Sequence, residues 1–201
     1  MSSNFKDALQ KIDEAHSEDP TLITIMINGT QEEEKVPNEL HYANKMTSYL
    51  FQHESSPSEL LQLAIRAQHL RRWELPRSEY PMTRGGYLAW RIAQKKRHAQ
   101  LVQEICLECG YSSDDAARVG ALVRKENMKN DAECQVLEDV ACLVFLAEQF
   151  EKFEQDYGAD REKMVNILKK TWAKMSERGH SLALKISMSE RLTSLVVEAV
   201  S

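Results

Sequence analysis

The sequence predicts an all-α protein, built as a single compact domain of seven or eight helices. A chain of 201 residues is long enough to bury one core without metal or disulfide support. Only seven glycines and five prolines are present, which leaves little material for turns. Residues that favour helices dominate the composition, and apolar residues recur at helical spacing along most of the chain.

The N-terminal part contains the one segment that departs from this pattern. A short amphipathic helix is predicted from Asn4 to Ala15. Residues 21–37 then alternate isoleucine with threonine and contain Asn28-Gly29, which predicts a strand or partial hairpin. The alternative, which we favour from the sequence, is a surface excursion peculiar to this protein. Helical periodicity resumes over residues 38–51.

A capping motif predicts where the next helix begins. Residues 56–59 read Ser-Pro-Ser-Glu, a capping box with proline at the first helical position, so the helix is predicted to start at residue 57. It cannot extend far beyond Trp73, because Pro76 disfavours helical geometry at Leu75.

The remaining helices follow from periodicity, caps and closing glycines. Gly110 and Gly179 are predicted to end two of them. The predicted ranges are 86–109, 114–125, 131–153, 160–178 and from about 189 to the end. Since no repeat and no low-complexity linker divides these segments, we expect one domain over residues 1–201.

Composition narrows the classes of partner. A formal net charge of −5 argues against general nucleic-acid binding, which needs a basic surface. The chain has no apolar run of about 18 residues and no N-terminal signal pattern, so no membrane association is expected. The four cysteines suit buried thiols in a reducing compartment. We expect a cytoplasmic protein, or a nuclear one if the source is eukaryotic; the sequence does not determine its oligomeric state.

Two helical segments carry polar residues where a core is expected. The most apolar segment, QVLEDVACLVFLAEQF, is interrupted by Glu138 and Asp139. A buried carboxylate needs a donor, a cation or a metal. The simplest partner is an arginine such as Arg72 or Arg91, which would make these groups internal salt bridges. Another helical face carries Tyr87, Arg91, Gln94 and His98.

Three residues distant in the sequence resemble a known metal-binding order. His41, His69 and Asp139 lie on different predicted helices, in an order similar to the metal ligands of HD-domain phosphohydrolases. His98 falls where some members of that superfamily place an additional histidine. The chain departs from the pattern at Leu70, where the HD pair requires aspartate. The resemblance implies at most one divalent ion, manganese, zinc or iron.

A second resemblance extends over nearly the whole chain. The segments QHLRRWELPRSEYP, RGGYLAWR and KKTWAKMS, together with the apolar segment above, resemble an uncharacterised domain family of bacteria and eukaryotes. Some of its members are labelled glutamyl-tRNA synthetase, but this chain has neither a dinucleotide-binding fingerprint nor an ATP-binding H-x-G-H signature. The polar positions that match the family pattern include Gln68, His69, Arg72, Trp73, Arg77, Tyr87, Arg91, His98, Lys125, Glu138, Asp139, Lys170 and Lys174.

These resemblances lead to two main hypotheses and one weaker one. The first is a metal-dependent phosphohydrolase acting on a nucleotide-like or other phosphorylated small molecule, with His41, His69, His98 and Asp139 as metal ligands. Glu138 and Lys125 are then the catalytic candidates. The ligand itself would be held by Gln68, Arg72, Trp73, Arg77, Tyr87, Arg91, Lys170 and Lys174. The second hypothesis is a non-catalytic module that binds an anionic, phosphorylated metabolite, and the third is a helical interaction scaffold.

Overall fold

The computed structural model describes residues 2–26, 33–151 and 160–200, with only the backbone of Val200. The protein is 71% helical and 5% strand, which confirms the all-α prediction. Within the described residues, nine α-helices and the helical residues Phe150 and Glu151 make ten, more than the seven or eight predicted. None of the described helices is long and apolar enough to cross a membrane.

The elements follow the sequence pattern in order. The helices are α1 (Ser3–Ser17), α2 (Asn38–His53), α3 (Glu59–Arg66), α4 (Arg84–Glu108), α5 (Ser113–Arg124), α6 (Ala132–Val144), α7 (Arg161–Trp172), α8 (Glu177–Ala183) and α9 (Glu190–Val200). Strands β1 (Leu22–Met26) and β2 (Glu33–Pro37) pair antiparallel, so the predicted partial hairpin is confirmed. The Asn28-Gly29 pair lies outside the described residues.

The prediction for α3 is wrong at both ends. Ser58 rather than Ser56 is the N-cap, because its side chain accepts the backbone N–H of Leu61. The helix also ends at Arg66, well before Trp73, and continues as a turn.

Side chains of α4 bind the segment after α3, which is a turn followed by a short 3₁₀ helix over Arg72–Glu74 and not a continued α-helix. Gln94 donates to the backbone oxygens of Arg72 and Leu75, at 3.0 and 2.8 Å, and the Trp90 indole N–H also donates to Leu75, at 2.9 Å. These tertiary bonds satisfy the backbone carbonyls of Arg72 and Leu75. His69 therefore lies in a turn and not within a helix, as the sequence pattern predicted.

The single helix predicted over residues 160–178 is also wrong. Helix α7 ends at Trp172, and α8 begins after Ser176, whose side chain accepts the backbone N–H of Gly179. Gly179 lies inside α8 instead of closing a helix. A Cβ there would stand 2.8 Å from Cγ of Asp139, so the position has room for glycine only. Gly110, in contrast, follows α4 with φ +84°, as predicted for a closing glycine.

The chain forms two compact units. Unit 1 comprises Met1–Ser48 and Ser56–Glu126, and unit 2 comprises Tyr49–Ser55 and Asn127–Ser201. In unit 1, α4 packs on α5, α1 packs on α4, α3 packs on α5, and α1 and α3 pack on each other. In unit 2, α7 packs on α9, and α6 packs on α8. The prediction of one domain over the whole chain stays a prediction.

Candidate functional site

The turn after α3 places His69 at the centre of a polar group in unit 1. The backbone of His69 is left-handed, with φ 64°. Its ring stacks on Tyr42 of α2, with 4.2 Å between ring centroids and 10° between the planes. The ring of His98 from α4 lies 6.1 Å away, tilted by 55°. Three separate parts of the chain therefore meet at this imidazole.

Hydrogen bonds determine which ring nitrogen of His69 carries the proton. Nη1 of Arg72 lies 3.0 Å from Nε2 of His69, and arginine can only donate, so Nε2 must accept. The hydrogen then resides on Nδ1, which donates to Oε2 of Glu39 at 3.1 Å. Burial lowers the pKa of His69 well below its usual value, and the charges of Arg72, Arg91 and Lys125 lower it further. His69 is thus a neutral imidazole between an acid and a cation.

The same three cations, Arg72, Arg91 and Lys125, form what we call the basic cluster. The guanidinium of Arg72 lies over the Trp90 ring, 4.9 Å from its centroid. Arg91 is exposed, and its Nη1 lies 3.5 Å from the Tyr87 hydroxyl. Among the described residues, neither arginine forms a salt bridge with a carboxylate within 4.0 Å. Glu39 attracts Arg72 electrostatically without a direct salt bridge.

Glu39 is the acid that contacts His69. It is 7% exposed, and burial raises its pKa to about 7, even though Arg72 and His16 act to lower it. Its backbone N–H donates to Oδ2 of Asp19 at 2.9 Å, and the Asp19 charge adds to the upward shift. Glu39 therefore gains and loses its proton near neutral pH, unlike an ordinary glutamate.

The interior beside His69 contains polar atoms that protein groups leave unsatisfied. In the described part of the chain, His98 Nε2, His16 Nδ1 and Gln94 Oε1 are buried without a hydrogen-bond partner. Burial lowers the pKa of His98 well below its usual value, with further lowering by His69 and Arg72. Buried polar atoms are nearly always paired, so this group has capacity to bind water or a polar ligand atom.

Backbone strain concentrates at the same place. Four non-glycine residues of the described ranges have positive φ, and three of them, His69, Arg71 and Lys125, belong to unit 1 at the basic cluster or next to it. Such conformations cost about 1–3 kcal/mol each and are often found at functional sites. Strained backbone and a concentration of positive charge thus coincide here.

Asp139 lies in unit 2 and has its own set of partners, which we call the Asp139 cluster. Its side chain is fully buried. Oδ1 accepts from Gln135 Nε2 at 2.9 Å and from the Ser176 backbone N–H at 2.8 Å, and Oδ2 accepts from His53 Nε2 at 2.9 Å and from the Ser176 hydroxyl. Burial acts to raise the pKa of Asp139, but these hydrogen bonds outweigh it and the net shift is downward. The carboxylate is therefore ionised and fully satisfied by protein donors.

The other residues predicted for the site have varied surroundings. Glu138 is buried and lies 3.6 Å from the ammonium of Lys174, while Lys170 is exposed on α7. The guanidinium of Arg77 donates to three backbone oxygens of its own loop, those of Tyr80, Pro81 and Thr83. Gln68, Trp73 and His41 are buried or half-buried parts of unit 1.

The structure brings some of the predicted residues together and assigns others to separate units. His69, Arg72, Arg91, His98 and Lys125 all belong to unit 1, whereas Glu138, Asp139, Lys170 and Lys174 belong to unit 2. Among the described residues, no group of three or more His, Cys, Asp or Glu side chains is arranged to hold a metal ion. The metal-ligand hypothesis therefore stays a prediction that no observed cluster supports.

Sequence reasoning missed two participants in unit 1: Glu39 and Tyr42. Glu39 and Tyr42 stand three positions apart at the start of α2, a spacing that places them on one helical face. This spacing is visible in the sequence, but no neighbouring residue indicated that this helical face belongs to a polar site. Trp90 is buried and its ring supports Arg72. In unit 2, His53 was given little weight from the sequence because it lies near a predicted helix end.

The comparisons with known proteins give one match. A family model described as a domain of unknown function, DUF4202, matches residues 6–196. No curated protein and no solved structure matches the chain. Since the family model spans almost the entire sequence, the chain belongs to the family described as domain of unknown function DUF4202.

Proposed function

We propose that unit 1 binds a small anionic, phosphorylated ligand at the basic cluster. The observation that carries the proposal is the pairing state of the arginines: Arg72 and Arg91 stand beside a neutral His69, and in the described residues neither makes a salt bridge within 4.0 Å, although Glu39 attracts Arg72 at longer range. Had these residues served only as internal salt bridges, each would lie within 4.0 Å of an acid. An arginine fork with free donors suits a phosphate oxygen pair.

The arrangement also suits exchange of a ligand with solvent. Arg91 is exposed and its bond to Tyr87 is long, so its guanidinium can turn to an incoming anion at small cost. The guanidinium of Arg72 stacks on the Trp90 ring and has N–H donors besides the one that contacts His69. Lys125 adds a third charge at the end of α5. Three cations favour a doubly charged phosphate over a singly charged carboxylate.

The proposal is tested by calorimetric titration of inorganic phosphate, pyrophosphate and a panel of nucleotides into the full chain. Arg91→Ala should weaken binding at least about tenfold, because one charge-assisted hydrogen bond contributes roughly 1.5–3 kcal/mol. Since Arg91 is exposed, the variant should keep the wild-type circular dichroism spectrum and unfolding midpoint.

Lys96→Ala is the matched control, because Lys96 is another exposed cation of α4 but points away from Arg91 around the helix. The Lys96→Ala variant should bind each anion with an affinity within about twofold of wild type. Absence of binding by every anion at millimolar concentration, or equal losses in the two variants, would contradict the proposal. Metal-dependent hydrolysis stays a separate prediction, checked by the manganese, zinc and iron content of the purified protein and by phosphate release.

A further inference from the structure

We propose that unit 2 contains a second binding site, which takes a small zwitterion with an aliphatic body: an amino acid with an aliphatic side chain. The site is a cavity formed by the end of α2, the residues after α6, and the end of α8 with the residues that follow it. It shares no residue with the basic cluster, so the inference does not depend on the proposed anion binding.

The cavity is large enough for a small molecule. Its volume is about 300 Å³, at the lower end of the range of known ligand pockets. Three parts of unit 2 that are distant in the sequence supply its walls. Sites of this kind combine apolar walls with a few convergent polar groups, and this cavity has both.

A π-helical turn forms one of the walls. Residues Phe145–Gln149 continue α6, but the backbone N–H of Phe150 donates to the oxygen of Phe145, five residues earlier and not four. Ala147 and Glu148 of this turn line the cavity. Turns of π-helix are rare, and many of them occur at functional sites. A rare backbone conformation and a cavity therefore coincide in unit 2.

Four polar side chains of the cavity have no partner within the described part of the chain. They are the hydroxyl of Tyr49, the amide of Gln52, the ammonium group of Lys185 and the hydroxyl of Ser187, none of which forms a hydrogen bond or a salt bridge there. All four groups can donate, and only Lys185 carries a charge. Together they suit a single carboxylate group of a ligand.

Glu148 brings the opposite charge to the same cavity. Burial and the charge of Glu148 raise the pKa of Tyr49, so the phenol keeps its proton and can donate it in a hydrogen bond. A carboxylate accepts several hydrogen bonds, so Glu148 can bind an ammonium group beside its other partners. A cavity with one cation and one anion complements a ligand that carries one of each, and disfavours an ion of single sign.

The remaining wall is apolar. Ala147, Leu182 and Ile186 are buried or half-buried, and they line the cavity beside the polar groups. An aliphatic chain that packs against this wall leaves water and gains roughly fourfold in affinity for each buried CH₂ group. The charges therefore select an amino acid, and the wall selects an aliphatic side chain.

Calorimetric titration of L-leucine into the full chain tests the proposal, together with three analogues that each lack one feature. Isocaproate lacks the ammonium group, isopentylamine lacks the carboxylate, and glycine lacks the aliphatic chain. L-leucine should bind, and each analogue should bind at least about fivefold more weakly, since each loses an ion pair or the apolar contact.

Two variants assign the charges to their partners. Lys185→Met removes the partner of the carboxylate, so L-leucine and isopentylamine should then bind within about twofold of each other. Glu148→Gln should equalise L-leucine and isocaproate in the same way. Both side chains are exposed, so both variants should keep the wild-type circular dichroism spectrum. Lys169→Met, which removes an exposed lysine of α7, is the matched control and should bind all four compounds as wild type does.

The outcomes decide between this inference and the alternatives. Absence of L-leucine binding at millimolar concentration overturns it, and so does binding of isocaproate or isopentylamine as tightly as L-leucine. Equal losses in Lys185→Met and Lys169→Met would also overturn it. Arg91→Ala should bind L-leucine as wild type does while losing affinity for phosphate, so the failure of one proposal is distinguishable from the failure of the other; weaker L-leucine binding by Arg91→Ala would overturn the assignment to unit 2.

Discussion

Replacing Asp139 by alanine should strongly lower the free energy of unfolding of unit 2, because this carboxylate supports the fold. Asp139 is fully buried, and its two oxygens accept four hydrogen bonds from Gln135, Ser176 and His53. Alanine would leave all of these donors without their acceptor in a closed interior. Removing one partner of a buried, paired charge costs about 3–5 kcal/mol, and we expect about 4 kcal/mol here.

Asp139→Asn should cost about half as much, roughly 2 kcal/mol. An asparagine keeps one acceptor oxygen for two of the donors, but its amide N–H₂ group faces the other two. The shape is unchanged, so no cavity is added. The gradation from wild type through asparagine to alanine is therefore a signature of lost acceptors and not of lost volume.

Urea unfolding followed by circular dichroism, with hydrogen exchange at the Ser176 amide, measures both variants. Glu177→Ala removes an exposed acid next to this cluster and should change the free energy of unfolding by less than about 1 kcal/mol. The reasoning is refuted if Asp139→Ala unfolds within about 1 kcal/mol of wild type. In that case the carboxylate is not needed for the fold, and its role as a metal ligand or catalyst gains weight.

Two further predictions concern stability. The stabilisation by Asp139 should depend on pH, because the pKa of this carboxyl group is lowered in the folded protein. The difference in free energy of unfolding between wild type and Asp139→Asn should be complete above about pH 4 and disappear as the pH falls through the folded pKa. Unfolding curves at about pH 7, 5 and 3 measure this difference, and a constant difference would contradict the prediction. Gly86→Ala should destabilise by about 2–4 kcal/mol, because its Cβ would overlap the Pro81 carbonyl, whereas Gly85→Ala should stabilise by roughly 0.5–1 kcal/mol, because the Cβ at Gly85 meets nothing closer than 4.0 Å. Urea midpoints of the two variants check this pair, and shifts in the same direction would be inconsistent with it.

The sequence by itself determined the helical class and most element positions. Helices α1, α4 and α5 begin and end close to where periodicity, serine or threonine caps and Gly110 predicted, because these signals act over a few residues. The paired strands were also visible as an alternating pattern. Family membership followed from long motifs, which need no structure to be recognised.

Only the tertiary structure decided the end of α3 and the surroundings of the polar residues. Helical spacing extended α3 to Trp73, but Gln94 and Trp90, some twenty residues later, bind the carbonyls of Arg72 and Leu75, and His69 has a left-handed backbone. In the same way, Asp139 was recognisable as a buried acid, but nothing in its own helix named His53 and Ser176 as its donors. Local signals determine where helices start and stop. The partner of a buried charge is determined by which helices pack together, and residues close to it in the sequence do not reveal that packing.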